Sequence, residues 1–348
     1  MTNGMSPETR RLAAALGQLG AISFGFVSSQ ALASAYRLGV FEALAGGPMT
    51  ADDLANQIHL KPVACRRLLM AIASLNLVKH ERGKFQNTEL GQFCTSRSKV
   101  NLGAVSQISP FDRLSEFLTD ALREYGPRYQ QALGAPAQDA FAALYADPVG
   151  LREFAKLMDG LSIPQGQVIA ECYDFSAHHC IMDVAGGPGG QSIQIGLNHV
   201  HLRGIIMDLE PVCVVARERI EANGLSARFS AMSADLMTGP YPLGADVILL
   251  GHILHDWSDE NCRKILGHCA AALPAEGVLL VSESVLNADY SGRNGASLKD
   301  LIMLVGNEPD ARERSEEEYR SLLSAAGFEV VDVLLFDAPR DLLVAKKR

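Results

Sequence analysis

The sequence predicts an α/β protein in which a helical amino-terminal domain precedes a doubly wound parallel sheet that ends in an antiparallel hairpin. Three observations support this fold class. Apolar residues recur at helical spacing through the first part of the chain, and short apolar runs alternate with helical segments from residue 180 onwards. The last two predicted strands are separated only by residues 337–341. Alternating strands and helices favour a parallel sheet with helices on both faces.

The first hundred residues predict three helices and a small hairpin, which together form a winged helix. The helices are expected over 12–45, from Thr50, and from Pro62 through Leu75, and the hairpin over 77–87. Winged helices often bind DNA, so a nucleic-acid reader is one alternative. However, the helix around Arg66 and Arg67 is otherwise apolar, which favours a packing role. Residues 101–176 indicate a helical connector and pocket wall, and residues 177–348 a domain built on the predicted sheet.

The predicted sheet follows from the remaining residues. Strands are expected at 180–184, 204–208, 228–232, 245–251, 277–283, 329–336 and 342–345. A helix over 315–326 is opened by a capping box of Ser315 and Glu318. A parallel return needs a crossover of about a dozen residues, so the short link at 337–341 forces an antiparallel hairpin.

The composition is that of a globular protein with reduced thiols. With 348 residues, 48% of them hydrophobic, the chain can form about two domains with their own cores. The net charge of −9 disfavours nucleic acid as a partner. The seven cysteines include no C-x-x-C pair, which indicates the cytoplasm rather than a disulfide framework. Polar residues within 12–36 argue against a signal peptide or a membrane partner.

A glycine-rich turn follows the first strand of the predicted sheet. The run Asp183-Val184-Ala185-Gly186-Gly187-Pro188-Gly189 leads from that strand into a helix, the place where such sheets bind ligands. Asp208 ends the next strand, where a carboxylate can accept both hydroxyls of a ribose. The ligand is therefore expected to be a nucleoside.

The absence of a G-K-[ST] sequence after the glycines argues against a phosphate-binding loop. Asp183 ahead of the turn would repel a pyrophosphate but suits an ammonium group. S-adenosylmethionine, which has a ribose and an ammonium group but no phosphate, therefore fits better than a nicotinamide cofactor. A glycine loop that merely turns the chain is the third possibility.

Asp235, Leu236 and Met237 follow the third strand of the predicted sheet. The carboxylate is placed to take the adenine amino group, and the two apolar side chains to cover the ring. Alone, an aspartate before an apolar pair is typical of a turn. The interpretation depends on Asp183 and Asp208, because the three acids stand at successive strand ends.

Two histidines follow the fourth strand, in Gly251-His252-Ile253-Leu254-His255-Asp256-Trp257. Their i, i+3 spacing can place two metal ligands on one helical face, but no third ligand stands at a suitable spacing, so we expect no metal. A histidine at a strand end beside a cofactor pocket can instead act as a general base. Glu283 and Glu313 are candidates to raise its pKa and fix its tautomer.

These motifs, in this order, resemble the small-molecule O-methyltransferases of the caffeic-acid and acetylserotonin type, a family with many bacterial members that act on natural products. The resemblance covers nearly the whole chain. It implies a Rossmann-like catalytic domain, a winged-helix dimerisation domain over residues 1–100 that forms a homodimer, and S-adenosylmethionine as cofactor.

The resemblance also assigns the cofactor site. Ala185 replaces the first glycine of the family's D-V-G-G-G-x-G turn, and Gly251 stands where the family often places a lysine near the cofactor. Asp208-Leu209 resembles the ribose motif, and Asp235-Leu236-Met237 the adenine motif. The implied cofactor residues are Asp183, Ala185, Gly186, Gly187, Gly189, Asp208, Leu209, Asp235, Leu236, Met237 and Gly251.

Leu254 to Glu260 matches the family's most specific signature, in which the histidine is the base. Glu283 and Glu313 fall where the family keeps two carboxylates beside that histidine, which implies His255, Glu283 and Glu313 as the catalytic residues. The implied acceptor pocket comprises Phe154, Met158, His252, Met303 and Asn307. Core packing is the alternative for Phe154 and Met158, which are spaced i, i+4.

We therefore expect a metal-independent, S-adenosylmethionine-dependent transfer of a methyl group to a hydroxyl of an aromatic or conjugated small molecule, with His255 as general base. Transfer to a ring nitrogen or carbon is one alternative, in which His255 matters little. A winged-helix binding or regulatory protein is the other. The sequence does not identify the acceptor.

Overall fold

The computed structural model describes residues 6–98, 101–103, 113–287, 289, 295–336, 338 and 340–348. It divides into two compact units, Met1–Gln107 and Ile108–Arg348. The predicted boundary at residue 100 lies outside the described residues, and the predicted division into three parts stays a prediction.

The first unit is mainly helical, as predicted. Its elements are α1 (Pro7–Ser23), α2 (Gly25–Arg37), α3 (Val40–Ala45), α4 (Ala51–Gln57), α5 (Pro62–Ser74), β1 (Val78–Glu81), β2 (Lys84–Asn87) and α6 (Glu89–Gln92). The Thr50 side chain accepts a hydrogen bond from the Asp53 N–H and caps α4. β1 and β2 form the predicted antiparallel hairpin. The core includes the fully buried Leu54, Leu69 and Ile72. The winged-helix assignment itself stays a prediction.

The first helix has no buried residue. Leu12, Leu16, Leu19 and Ile22 on α1 are between 64% and 77% exposed. Among the described residues, no single helix is long and apolar enough to cross a bilayer; α1 and α2 meet that requirement only jointly, with a bend of 45° between them.

The second unit contains a seven-stranded sheet and the helices that cover it. Its helices are α7 (Leu118–Glu124), α8 (Tyr129–Leu133), α9 (Ala137–Ala146), α10 (Pro148–Cys172), α11 (Gly190–Asn198), α12 (Glu210–Ala222), α13 (Asp259–Ala272), α14 (Ala296–Gly306) and α15 (Glu316–Ala325). Its strands are β3 (Cys180–Val184), β4 (Arg203–Asp208), β5 (Phe229–Ser233), β6 (Val247–Gly251), β7 (Val278–Glu283), β8 (Val285–Leu286), β9 (Arg314–Ser315), β10 (Phe328–Leu334) and β11 (Asp341–Lys347).

The sheet order is β10-β11-β7-β6-β3-β4-β5. β3 to β7 run parallel to one another, and β11 runs antiparallel to both β7 and β10, which confirms the doubly wound sheet with a terminal hairpin. The strand order reverses between β3 and β6, so their carboxyl ends flank the crevice where sheets of this kind bind ligands.

Local sequence signals account for the element ends. The capping box that opens α15 is present, because Ser315 and Glu318 bind each other's backbone N–H groups. β6 begins at Val247, two residues later than predicted; just before it, the Asp246 carboxylate accepts the N–H groups of His179 and Cys180. Parallel strands buried on both faces read as continuous apolar runs, and the first four residues of β6 are all buried.

Candidate active site

The glycine-rich turn between β3 and α11 packs directly over Asp183. A Cβ on Gly186 would lie 2.5 Å from the Asp183 Cγ, so this position admits only glycine without rearrangement. Asp183 is 3% exposed and accepts a hydrogen bond of 2.7 Å from the Ser192 hydroxyl. Burial raises the pKa of this carboxyl to about 6. Asp183 therefore lies beneath the turn.

The backbone of the turn is left-handed at three positions. φ is +52° at Ala185, +58° at Gly187 and +82° at Gly189. Glycine adopts this region freely, whereas an alanine with a positive φ is strained by its Cβ. The alanine at position 185 therefore keeps the glycine-like conformation of the turn at a cost in stability.

Asp208 ties the turn to the carboxyl end of β4. Its Oδ2 accepts the Gly187 N–H at 2.8 Å, and its Oδ1 accepts the Leu209 N–H at 2.7 Å. Burial raises the pKa of Asp208, against the effect of the two N–H donors. The Leu209 side chain is 36% exposed at the start of α12. The structure thus brings Asp208 and the glycine-rich turn into contact.

Asp235 forms a turn after β5. Its Oδ1 accepts the N–H groups of Met237 and Thr238, at 2.8 and 2.9 Å, and the residue is exposed. Leu236 and Met237 are half-buried beside it. The Ala234 N–H donates to the Asp208 backbone carbonyl, so this turn adjoins the end of β4. The adenine contact of Asp235 stays a prediction.

Gln191 is a site residue that sequence reasoning missed. Gly251 ends β6, and a Cβ there would lie 2.4 Å from the Gln191 Nε2. The Gln191 side chain thus occupies the space that a side chain at position 251 would need. Gln191 is 4% exposed, and its Oε1 is buried without a hydrogen-bond partner. A glycine at position 251 signals this space, but nothing in the sequence indicates which side chain fills it.

His255 lies in a short 3₁₀ helix, Leu254–Asp256, directly after the end of β6. Its Nδ1 is 2.6 Å from Glu283 Oε2 and 3.9 Å from Glu313 Oε1. All three side chains are at most 2% exposed. Glu283 Oε1 accepts the N–H groups of Ile253 and Leu254. The structure therefore brings the three predicted catalytic residues together, with both Glu283 oxygens engaged.

The charges of His255, Glu283 and Glu313 shift one another's pKa values. Burial alone would lower the pKa of His255, but the nearby Glu283 and Asp256 outweigh it and raise the pKa well above 6.5. Burial opposes ionisation of Glu283, yet His255 and the backbone N–H donors lower its pKa. Burial and the charge of Glu283 raise the pKa of Glu313 to about 7, and both its oxygens lack hydrogen-bond partners. These directions favour a proton on His255 Nδ1 that Glu283 accepts as a hydrogen bond.

The second nitrogen of His255 faces Asp256. Nε2 lies 3.3 Å from Asp256 Oδ1, which also accepts a hydrogen bond of 2.7 Å from Asn307 Nδ2. Met303, one turn before Asn307 on α14, is 8% exposed. Of the predicted acceptor residues, Asn307 therefore reaches the histidine through Asp256.

His252 packs against the His255 ring, with the centroids 4.2 Å apart and the rings nearly perpendicular. Its φ is +68°, in the left-handed region that few non-glycine residues adopt. Burial and the charge of Arg340 lower the pKa of His252 well below 6.5. The surroundings of His252 thus disfavour its protonated form. Phe154 and Met158 are half-buried on α10, and their role in an acceptor pocket stays a prediction.

Arg314 holds the loop that carries His255, a role that sequence reasoning did not assign. The fully buried guanidinium donates to the backbone carbonyls of Leu254 and Trp257 and to Asp259 Oδ1, each at 2.8 Å. The signal in the sequence that could have indicated this role is that Arg314 directly follows Glu313. The same short segment thus supplies one carboxylate of the cluster and the clamp on the histidine loop.

The nitrogen and carboxylate oxygens of His255, Glu283 and Glu313 lie within 4.8 Å of one another, so this cluster has the composition of a metal site. The spacing of ligands along the chain predicted no metal site. That spacing could not include Glu283 and Glu313, because the fold brings these two acids in from distant segments. The 2.6 Å contact between Nδ1 and Glu283 is a hydrogen-bond distance. A proton shared between them explains the pair.

Comparisons with known proteins match nearly the whole chain to methyltransferases. Residues 116–329 match the O-methyltransferase domain, and residues 21–97 match the O-methyltransferase dimerisation domain. The 3-hydroxy-5-methyl-1-naphthoate 3-O-methyltransferase of Streptomyces sahachiroi is 32% identical over 91% of each chain. An N,N-dimethyltransferase of Streptomyces rimosus is 28% identical over 91% of this chain and 93% of its own. Human N-acetylserotonin methyltransferase, solved with S-adenosylmethionine, superposes with a TM-score of 0.87 at 27% identity, covering 100% of this chain and 99% of that one.

Proposed function

The chain belongs to the S-adenosylmethionine-dependent O-methyltransferases of small molecules, and from this premise we propose that His255 is the general base for an aromatic or conjugated hydroxyl. The observation that carries the proposal is the buried contact of 2.6 Å between His255 Nδ1 and Glu283. A carboxylate that accepts the Nδ1 proton leaves Nε2 as the nitrogen that can accept another.

The raised pKa of His255 makes proton transfer from a phenol easier. Phenols titrate near 10 and histidine near 6.5, a gap that corresponds to about 5 kcal/mol. Glu283 and Asp256 narrow this gap because they stabilise the imidazolium. Glu313, with a pKa of about 7, adds a further negative charge to the cluster when it ionises. These groups orient and stabilise His255 and need not touch the acceptor.

The residues at the ends of β3, β4 and β6 suit the cofactor. The buried Asp183 carboxylate, the half-buried Asp208 carboxylate and the unpartnered Gln191 Oε1 are hydrogen-bond acceptors, and residues 183–192 contain no lysine or arginine. Such a site suits hydroxyl and ammonium groups better than phosphates. S-adenosylmethionine supplies an electrophilic methyl group when bound. We assign the ribose hydroxyls to Asp208, the ammonium group to the charge of Asp183, and the adenine to Asp235, Leu236 and Met237.

The proposal is tested with His255→Ala and a matched control, His201→Gln, which changes an exposed histidine ahead of β4. Methyl transfer to a panel of hydroxylated aromatic compounds is followed by mass spectrometry, and S-adenosylhomocysteine affinity by calorimetry. We expect His255→Ala to lower turnover by about 10²–10⁴-fold with nearly unchanged affinity. Turnover equal to the control, or an equal loss of affinity, would contradict the assignment.

Transfer to nitrogen is the second candidate, favoured by the N,N-dimethyltransferase among the relatives. An amine acceptor is already nucleophilic, so His255→Ala would then retain most of its turnover on that acceptor. Fragmentation of the methylated product distinguishes an O-methyl from an N-methyl group.

We propose that the chain is a homodimer formed through residues 1–100. The match to the dimerisation domain and the exposed apolar side chains of α1 support this. Leu16→Asp together with Leu19→Asp should reduce the mass measured by light scattering to that of one chain. Leu243→Asp, at a site 75% exposed in the second unit, is the control. An unchanged mass in the double variant would contradict the proposed interface.

A further inference from the structure

Arg340 is a buried cation with no ion-pair partner among the residues that the structure describes. Its side chain is 4% exposed, Nη1 donates to the Leu161 carbonyl at 3.2 Å, and Nε has no hydrogen-bond partner. Among the described residues, no carboxylate oxygen lies within 4.0 Å of its guanidinium. Burying an unpaired charge is unfavourable unless an anion compensates it. Arg340 therefore has the properties of a group that awaits an anionic ligand.

The nearest carboxylate of the catalytic cluster is not available to Arg340. Glu283 already accepts two backbone N–H groups with one oxygen and the His255 Nδ1 proton with the other. Glu283 and Glu313 affect Arg340 through their charges but do not bond to it. The negative charges of Glu283 and Glu313 thus favour the charged guanidinium, whose Nε donor has no hydrogen-bond partner.

Arg340 lies at the end of the sheet that carries the catalytic cluster. Asp341, the first residue of β11, is opposite Glu283 in the β7 pairing, so Arg340 stands at the carboxyl edge of the sheet next to the catalytic cluster. In the sheet order, β7 and β6 separate β11 from β3, which bears the glycine-rich turn. Three steps of about 4.8 Å place β11 about 14 Å from β3.

The side chain also reaches the predicted acceptor wall. Leu161, which accepts its hydrogen bond, follows Met158 on α10 by less than one turn. After burial, the positive charge of Arg340 contributes most to the lowered pKa of His252, which packs on the His255 ring. Arg340 thus lies next to both the base and the helix that carries Phe154 and Met158.

We propose that Arg340 binds a carboxylate of the acceptor, so that the preferred acceptors are hydroxyaryl carboxylic acids rather than neutral phenols. The inference rests on the proposed function, because it concerns the acceptor of that same site. The planar guanidinium can donate two parallel hydrogen bonds to a carboxylate, which fixes orientation as well as adding affinity.

The test uses the isomeric hydroxynaphthoic acids and the carboxamide of each as probes. Each is titrated by calorimetry into protein saturated with S-adenosylhomocysteine, for the wild type, Arg340→Gln, Arg340→Lys and the surface control Arg320→Gln. We expect at least one acid to bind the wild type about 10- to 100-fold more tightly than its amide. Arg340→Gln should abolish this preference, Arg340→Lys should retain part of it, and Arg320→Gln should keep it.

The proposal is overturned if no acid binds more tightly than its amide, or if the preference persists in Arg340→Gln. Weaker binding of S-adenosylhomocysteine in Arg340→Gln, with an unchanged acid-to-amide ratio, would assign the guanidinium to the methionine carboxylate instead. An equal loss for acid and amide with a lower melting temperature would show a structural role. Failure of the proposed function has a different signature: the acid preference holds, but wild-type enzyme and S-adenosylmethionine give no methylated product.

Discussion

Replacing Glu283 by glutamine tests whether its charge and both its oxygens set the state of His255. Glu283 Oε1 accepts the N–H groups of Ile253 and Leu254 at 2.9 and 2.7 Å, and Oε2 accepts from His255 Nδ1 at 2.6 Å. A glutamine has one carbonyl oxygen. If that oxygen accepts the N–H groups of Ile253 and Leu254, the NH₂ group of the glutamine faces His255 Nδ1. It then stabilises the histidine tautomer that carries its proton on Nε2. That tautomer cannot accept a proton from the acceptor.

The expected shift follows from the strength of the lost hydrogen bond. A hydrogen bond to a charged group contributes about 1.5–3 kcal/mol, which corresponds to about 1–2 pKa units. Because Glu283 raises the pKa of His255, its replacement lowers that pKa. The rise of kcat/KM with pH, which reports the loss of a proton from His255, should move to lower pH by this amount. The plateau should fall by about 10²–10⁴-fold, because the base is in the wrong tautomer.

The assay is the pH dependence of kcat/KM for methyl transfer, from about pH 5 to about pH 10. Glu313→Gln is the matched control, since Glu313 lies 3.9 Å from Nδ1 and makes no hydrogen bond to it. We expect a smaller shift in that variant. A Glu283→Gln enzyme with the wild-type profile and plateau, or a larger shift in Glu313→Gln, would refute the reasoning.

Three further predictions concern the turn and the cluster. Ala185→Gly relieves a left-handed alanine, so the free energy of unfolding should rise by up to about 1 kcal/mol; a lower melting temperature in calorimetry would contradict this. Asp183 has a pKa of about 6, so its charge, and with it the affinity for S-adenosylhomocysteine, should fall as the pH falls through 6. In Asp183→Asn, titrations should lack that dependence. A chelator should leave turnover unchanged, whereas a loss that divalent metal restores would show that the cluster at His255 holds a metal.

Short-range signals account for what the sequence predicted well. The alternation of apolar runs and helices, the short link at 337–341 and the capping box at Ser315 each depend on residues close together in the chain. The order of residues along strands and turns therefore placed Asp183, Asp208 and His255 at the correct edge of the sheet. Parallel strands bring their carboxyl ends to one edge, whatever the packing details.

The sequence did not predict the directions in which the site's side chains point. A motif identified Glu283 and Glu313 as candidates, but only the fold shows that both face Nδ1 and that Asp256 faces Nε2. For Asp235, the sequence predicted a contact with adenine, whereas the structure shows that its Oδ1 accepts two backbone N–H groups of its own turn.

By itself, then, the sequence determined the sheet, its hairpin and the strand ends that carry the site, because periodicity and turn chemistry act over a few residues. The tertiary structure alone decided that Gln191 occupies the space beside Gly251, that Arg314 clamps the histidine loop, and that Arg340 is buried with no carboxylate of the described residues within 4.0 Å. These contacts join residues far apart in the chain. Their geometry depends on how α10, β6 and β11 pack together, which no local pattern encodes.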